Sequence, residues 1–217
     1  MNSVQYICSV IIVMAIKDRK ERDKLDRRKL IIESATRLFL EQGYDKTSIR
    51  NIADDIEYSP ATIYLYFKEK DEIFYVIHEH GFELLGKEFT TLNDIINPLD
   101  RLLEMGKTYL KFGMENPDYY DLMFIMRAPL AEIECHSKWD AGDNAFQYLV
   151  NTITECLDQQ LIKPGDPKVI SMSVWSFVHG LASLHIRERF KSLDIDDEQS
   201  KILLSQSLEY LIANLRI

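Results

Sequence analysis

The chain has 217 residues, 46% hydrophobic and 28% charged, with only 8 glycines and 6 prolines. That length supports one or two domains with real cores, and so few turn residues favour an all-helical fold over a turn-rich sheet sandwich. A net charge of −9 weighs against a nucleic-acid partner when taken whole, and three cysteines with no paired spacing, Cys8, Cys135 and Cys156, weigh against a disulfide framework or a zinc site and fit a reducing cytoplasm.

The charge is unevenly placed. Between Lys17 and Lys70 stand 13 basic and 11 acidic residues, a balance of +2, while the remainder holds 13 and 24, a balance of −11. Residues 4–16, VQYICSVIIVMAI, are apolar but only 13 residues long, short of the ~20 that span a bilayer. No basic residue precedes them, so they do not read as a secretory signal. Residues 1–25 are read as an N-terminal extension; a start at Met14 is expected, which gives a charged, loose arm beginning MAIKDRKERDK, the alternative being a true anchor or an extra ordered element. No membrane partner is expected.

From Asp26 the pattern is helical. Ile31, Ala35, Leu38 and Phe39 recur on one face and the helix is expected to stop at Gly43. Ile49, Ile52, Ala53 and Ile56 repeat the pattern, with Thr47 or Ser48 as N-cap. Ser59-Pro60 opens another helix in the favoured order of hydroxyl cap then proline, with Ile63 and Phe67 facing inward. A long helix from Glu69 to about Thr91 follows and is expected to join two parts rigidly, the first ending near residue 72. Further helices are predicted from Leu99 to Glu115, Tyr119 to Arg127, Ala141 to Gln160, Asp166 or Pro167 to Phe190, and Gln199 to Leu215. No strand periodicity, internal repeat or low-complexity tract appears.

Two short helices joined by DIEY, residues 55–58, form a helix-turn-helix whose second member fits a major groove about 12 Å wide. Short side chains at Ser59, Pro60, Ala61 and Thr62 permit close approach to base edges. Tyr58, Tyr64 and Tyr66 offer hydroxyls and rings, and Thr47, Ser48, Arg50, Lys68 and Lys70 lie at helix ends suited to phosphate. The alternative for this stretch is a three-helix core domain that touches no nucleic acid.

The motifs A-x-x-L-F-x-x-x-G-Y (35–44), T-S-I-x-x-I-A (47–53) and S-x-A-T-I-Y-x-Y-F-K-x-K-D-E-I-F (59–74) are similar to the DNA-binding domain of tetracycline-repressor-like (TetR family) regulators. Two positions depart from the family pattern: Glu57 stands where a turn glycine is usual, and Ala61 where the recognition helix often has glycine. A positive φ at Glu57 would cost about 1 kcal/mol. The resemblance implies an all-α protein: residues 26–72 a helix-turn-helix head, residues 73–217 a helical domain for dimerisation and effector binding.

Within that second part, Leu103, Tyr109, Phe112, Tyr120, Met123 and Phe124 concentrate aromatic and flexible groups that suit an adaptable apolar pocket, or simply a core. WSFVHG (175–180) places Trp175 and His179 one turn apart and resembles a Trp-His-Gly signature of one TetR subgroup. Gly180 in mid-helix suggests close approach of another helix or a ligand. The apolar stripes of the last two helices suit a four-helix interface in a homodimer. His78 and His80 make a poor metal pair, and Glu132, Glu134, Cys135 and His136 have no diagnostic ligand spacing. No catalytic motif, cofactor loop or metal site is expected. The expected function is a ligand-responsive regulator, most simply a repressor, that binds a double-stranded palindromic operator and answers to a small-molecule effector. The rival is a helical ligand- or partner-binding module without DNA-binding activity.

Overall fold

A computed structural model describes the backbone of residues 3–126 and 140–217, and side chains over 19–126 and 141–217. Among the described residues the fold is helical, with one isolated antiparallel bridge between Ile162 and Arg216. The chain divides into two compact units, the first ending at Tyr75 and the second beginning at Val76, so the division falls inside one continuous helix.

The first unit contains α1 (Ser3–Gln42), α2 (Ile49–Asp55), α3 (Pro60–Ile63) and the start of α4 (Lys70–Thr90). Helix α1 begins 23 positions before Asp26, the start expected from apolar periodicity. Residues 3–25 contain no proline or glycine, and their apolar run (4–16) followed by a charged run (17–24) carries no amphipathic stripe that would reveal a helix. Gly43, at φ +85°, ends α1, and its N–H donates to Phe39 O over 3.0 Å. A side chain there would be strained, which explains glycine at this turn.

Ile31, Ala35, Phe39, Ile52, Ala53, Ile63, Phe67, Ile73 and Phe74 are almost wholly buried and form the core of this unit. Phe39, Tyr44 and Phe74 pack as an aromatic trio, with ring centroids 5.2–5.6 Å apart. Asp55 of α2 accepts from Ser34 (2.6 Å) and from Arg37, tying α2 to α1. The Arg37 guanidinium, then the Ser34 hydroxyl, hold the Asp55 carboxyl below its ordinary range.

Glu57 takes the left-handed conformation, φ 59°, at the turn before α3. Replacing it by glycine removes that strain, partly offset by the greater freedom of glycine in the unfolded chain. Glu57→Gly is therefore expected to stabilise the protein by about 0.5–1 kcal/mol, read as a rise in the melting temperature followed by circular dichroism.

The second unit is built around α5 (Pro98–Glu115), which packs against α7 (Asp140–Asp158), α8 (Pro167–Ile186) and α9 (Asp197–Leu215). Asn97 caps α5 by accepting from Leu99 N and Asp100 N, Asp166 caps α8 through Lys168 N and Val169 N, and Asp196 forms a capping box with Gln199 on α9. Leu99, Leu102, Met105, Tyr109, Leu110 and Phe112 turn inward from α5. A Cβ on Gly106 would lie 2.7 Å from Leu208 Cδ1, so glycine here is what lets α9 close on α5.

The helix expected at Tyr119 starts instead as α6 (Pro117–Tyr120) and continues as a π-helical turn, Asp121–Ile125. The helix expected to reach Phe190 ends at Ile186. A 3-10 turn, Arg189–Leu193, follows, flanked by left-handed Glu188 and Asp194. By length and hydropathy α8 resembles a membrane span, but Ser171, Val174, Val178 and Ala182 face this unit's core. Within this chain nothing described lies within 4 Å of a Cβ built at Gly180, so no helix of the same chain accounts for glycine there.

Candidate functional site

The surface of the first unit is shaped by α3. Ser59 caps it, its Oγ accepting from Thr62 N at 3.2 Å and lying 3.0 Å from Thr62 Oγ1. Pro60 follows at the first helical position, where its missing N–H costs nothing. Ile63 (0% exposed) and Phe67 (1%) anchor the segment in the core. This leaves Ser59 and Ala61 exposed, Pro60 and Thr62 half-buried, and Tyr64 56% exposed. Small groups line this side, so a duplex can approach the backbone closely.

Leu65, which the sequence reading passed over, is 78% exposed beside them. Its signal was its place between two tyrosines in TIYLYF, two residues from each of buried Ile63 and Phe67 and so off their shared face. Tyr64 is also more exposed than a ring packed on the first helix would be, whereas Tyr58 and Tyr66 are half-buried.

The neighbouring helix ends divide. Ser48 is the N-cap of α2, accepting from Asn51 N while Asn51 Oδ1 accepts from Ser48 N. Arg50 and Lys68 are exposed, Arg50 in a loose 3.9 Å pair with Asp54. Two residues expected at phosphate are turned inward. Thr47 is buried, with its hydroxyl 2.9 Å from Gly43 O and 3.2 Å from Leu38 O, because the exposed carbonyls at the end of α1 need a donor. Lys70 donates from Nζ to Tyr44 O over 2.7 Å and lies 3.9 Å from the Tyr44 ring centre, a cation held by a carbonyl and a π face.

The second unit contains a partly open cavity of about 260 Å³. Phe82, Leu85 and Phe89 of α4 line it, with Leu102, Met105, Gly106 and Tyr109 of α5 and Phe124 of the π turn. Gly142, Asp143, Ala145, Phe146 and Leu149 of α7 and Met172, Val174, Trp175 and Val178 of α8 complete the lining. Phe124 and Phe146 flank Trp175 at 6.1 and 5.9 Å between ring centres.

Of the residues expected at a ligand, Tyr109, Phe124 and Trp175 are at the cavity. Phe112, Tyr120 and Met123 are buried in the surrounding core, and Leu103 packs on its margin. Helical periodicity identifies an inward face but not where the facing helices leave a gap, which is why these were indistinguishable in sequence.

His179 stands behind the wall, not in it. Its Nδ1 is 3.0 Å from both the Tyr109 and Tyr120 hydroxyls, the Tyr120 hydroxyl donates to His179 O (3.0 Å), and Trp175 Nε1 donates to the Tyr109 hydroxyl (3.3 Å). Burial pushes the Tyr120 hydroxyl up to about 12 and raises Tyr109 further, so both stay protonated. Burial, then the Arg187 charge, lowers His179; burial also lowers His78, against a hydrogen bond with the Met123 backbone that raises it.

For both histidines the folded value lies below that of the unfolded chain, about 6.5. Their contribution to stability is therefore full above that pH and is lost as pH falls through it, when the unfolded state takes up protons first. The melting temperature is expected to fall between about pH 7 and pH 5, and to fall less in His78→Gln and His179→Gln.

Among the described residues no group of three or more His, Cys, Asp or Glu side chains could hold a metal. Glu132, Glu134, Cys135 and His136 lie outside the described residues, as does the side chain of Cys8. Cys156 is fully buried, and burial raises its thiol to about 11.

An exposed, small-residue helix on a three-helix unit and an apolar cavity in a separate helical unit define a helix-turn-helix transcriptional regulator. Residues 31–77 match the model for bacterial regulatory proteins of the tetR family, and residues 102–208 match a tetracyclin repressor-like C-terminal domain. The chain belongs to the tetR family, whose members are ligand-responsive DNA-binding regulators, not enzymes.

It is 24% identical over 186 residues to the HTH-type transcriptional regulator HbdR of Aromatoleum sp. (strain CIB), covering 84% of this chain and 81% of that one. It is 28% identical over 160 residues to the HTH-type regulator YhgD of Bacillus subtilis (strain 168), covering 67% and 76%. A solved tetR-family regulatory protein from Rhodococcus RHA1 shares the fold, with a TM-score of 0.69 at 18% identity over 87% of this chain and 96% of that one.

Proposed function

We propose that this chain is a dimeric, cytoplasmic repressor that holds a palindromic operator and leaves it when a small apolar or aromatic effector enters the cavity of the second unit. The observation that carries this reading is the exposure of Ser59, Ala61, Tyr64 and Leu65 on a segment anchored by fully buried Ile63 and Phe67. Ser59 to Thr62 read base edges. Ser48, Tyr64 and Tyr66 hold the phosphate backbone, with Arg50 and Lys68 adding charge.

Two copies are needed to read two half-sites ~34 Å apart or a multiple of that spacing. Val169, Met172 and Leu184 on α8 and Ile202, Leu203 and Tyr210 on α9 are exposed apolar residues that favour pairing through these helices. The effector acts by its differential affinity for the form whose reading helices are mis-spaced.

Gel-shift titration against the region upstream of the chain's own gene, repeated across salt concentrations, tests the reading. Salt-dependent binding that Tyr64→Ala weakens is expected. Equally negligible binding by both proteins would favour a helical ligand-binding module without DNA-binding activity.

A further inference from the structure

Single exposed leucines are common on soluble proteins, and exposure alone says nothing of a partner. Leu65 is set apart by its direction. Bonds from Tyr64 N to Pro60 O (3.1 Å), Tyr66 N to Ile63 O (2.9 Å) and Phe67 N to Ile63 O (3.0 Å) carry the helical winding of α3 on to Phe67. At about 3.6 residues per turn, Leu65 stands about 180° from the shared direction of the buried anchors Ile63 and Phe67. Ala61, one turn back, and Thr62 lie to either side of it, within about 60°. Leu65 is 78% exposed, more than any other large apolar side chain described in the first unit, and Ala61 is exposed too. The outermost line of α3 is therefore apolar.

Base edges in the major groove offer a leucine little. Guanine, adenine and cytosine present ring nitrogens, carbonyl oxygens and amino groups; thymine presents a carbonyl and the C5-methyl, the one apolar group among them. A leucine over a polar edge displaces water and returns no hydrogen bond, which costs free energy. Over a thymine methyl it takes apolar surface of both partners out of water.

We propose, on the reading that α3 enters the major groove, that Leu65 is a specificity-determining residue that packs on a thymine C5-methyl in each half-site. Ala61 gives the clearance that lets the leucine reach it, and the half-site carries an A·T pair at that position. The occupant follows from continuity: this line of side chains shares α3 with Ser59 and Thr62, in a unit that matches a family of DNA-binding regulators. Leucine reads the methyl by shape and burial, so its contribution is independent of salt, unlike that of Arg50 and Lys68.

The test starts from a duplex that the full-length protein selects out of a randomised pool. Each thymine is then replaced in turn by deoxyuridine, which lacks only the C5-methyl, and fluorescence anisotropy at fixed salt compares wild type with Leu65→Ala. One thymine per half-site is expected whose replacement weakens wild-type binding about fourfold, the scale of one methyl group taken from water. Replacing both copies should weaken it about fifteenfold. In Leu65→Ala the two duplexes should bind within about 1.5-fold at that position, while penalties at other thymines stay as in wild type, with folding checked by circular dichroism. A selected half-site without thymine, deoxyuridine penalties that are the same in both proteins, or a loss in Leu65→Ala that is equal on both duplexes would each overturn the assignment and leave α3 at the DNA. If the protein selects no duplex, the DNA-binding reading itself falls, and the role of Leu65 with it.

Discussion

Ala61→Glu is expected to lower affinity for operator DNA at least about 100-fold with little change in stability. Ala61 is exposed on α3, next to Ser59 and Thr62, so the added side chain meets no protein atom that must move. On a duplex it sets a carboxylate among phosphates and removes the close approach that a methyl group permits. Both effects act on the bound state alone. Ala61→Gly supplies the control, since it keeps the approach open and costs only helix propensity, about 1 kcal/mol. Fluorescence anisotropy with a labelled duplex at fixed salt gives the affinities, and urea denaturation the stabilities. Wild-type affinity in Ala61→Glu would remove α3 from the DNA interface.

Phe39→Ala carries the largest expected effect on stability, about 3–5 kcal/mol. The ring is 0% exposed and meets Tyr44 at 5.4 Å and Phe74 at 5.6 Å. Its removal deletes the centre of the trio, and neither neighbour is free to fill the space. Tyr44 is tied by its hydroxyl to Asp71 and by its carbonyl to Lys70, and Phe74 is fixed on α4. Because domains are stable by only about 5–15 kcal/mol, a loss on this scale should abolish DNA binding at physiological temperature. Phe39→Leu, which keeps most of the volume, should cost less than about 1.5 kcal/mol. Urea unfolding followed by circular dichroism separates the two, and a small cost for Phe39→Ala would mean the trio is not central to the core.

Both predictions concern the first unit, where local signals were strong. Gly43, the Ser48 cap, Ser59-Pro60 and the Ile63 and Phe67 anchors are short-range features, each determined by residues within one or two turns. They are legible because caps, turns and amphipathic faces depend on sequence spacing alone. Even the strained turn at Glu57 was readable, from a family pattern that usually has glycine there.

What the sequence determined by itself was therefore an all-helical chain, a helix-turn-helix with its small residues outward, and a second part rich in aromatic side chains. Tertiary structure alone decided that Thr47 and Lys70 point inward, because which carbonyl lacks a donor depends on how α1 ends against its neighbours. It alone decided that Tyr109, Phe124 and Trp175 face a cavity while Phe112, Tyr120 and Met123 fill the core. Apolar periodicity is the same on both sides of that division. A gap between helices is a property of their relative placement, and no single helix records it.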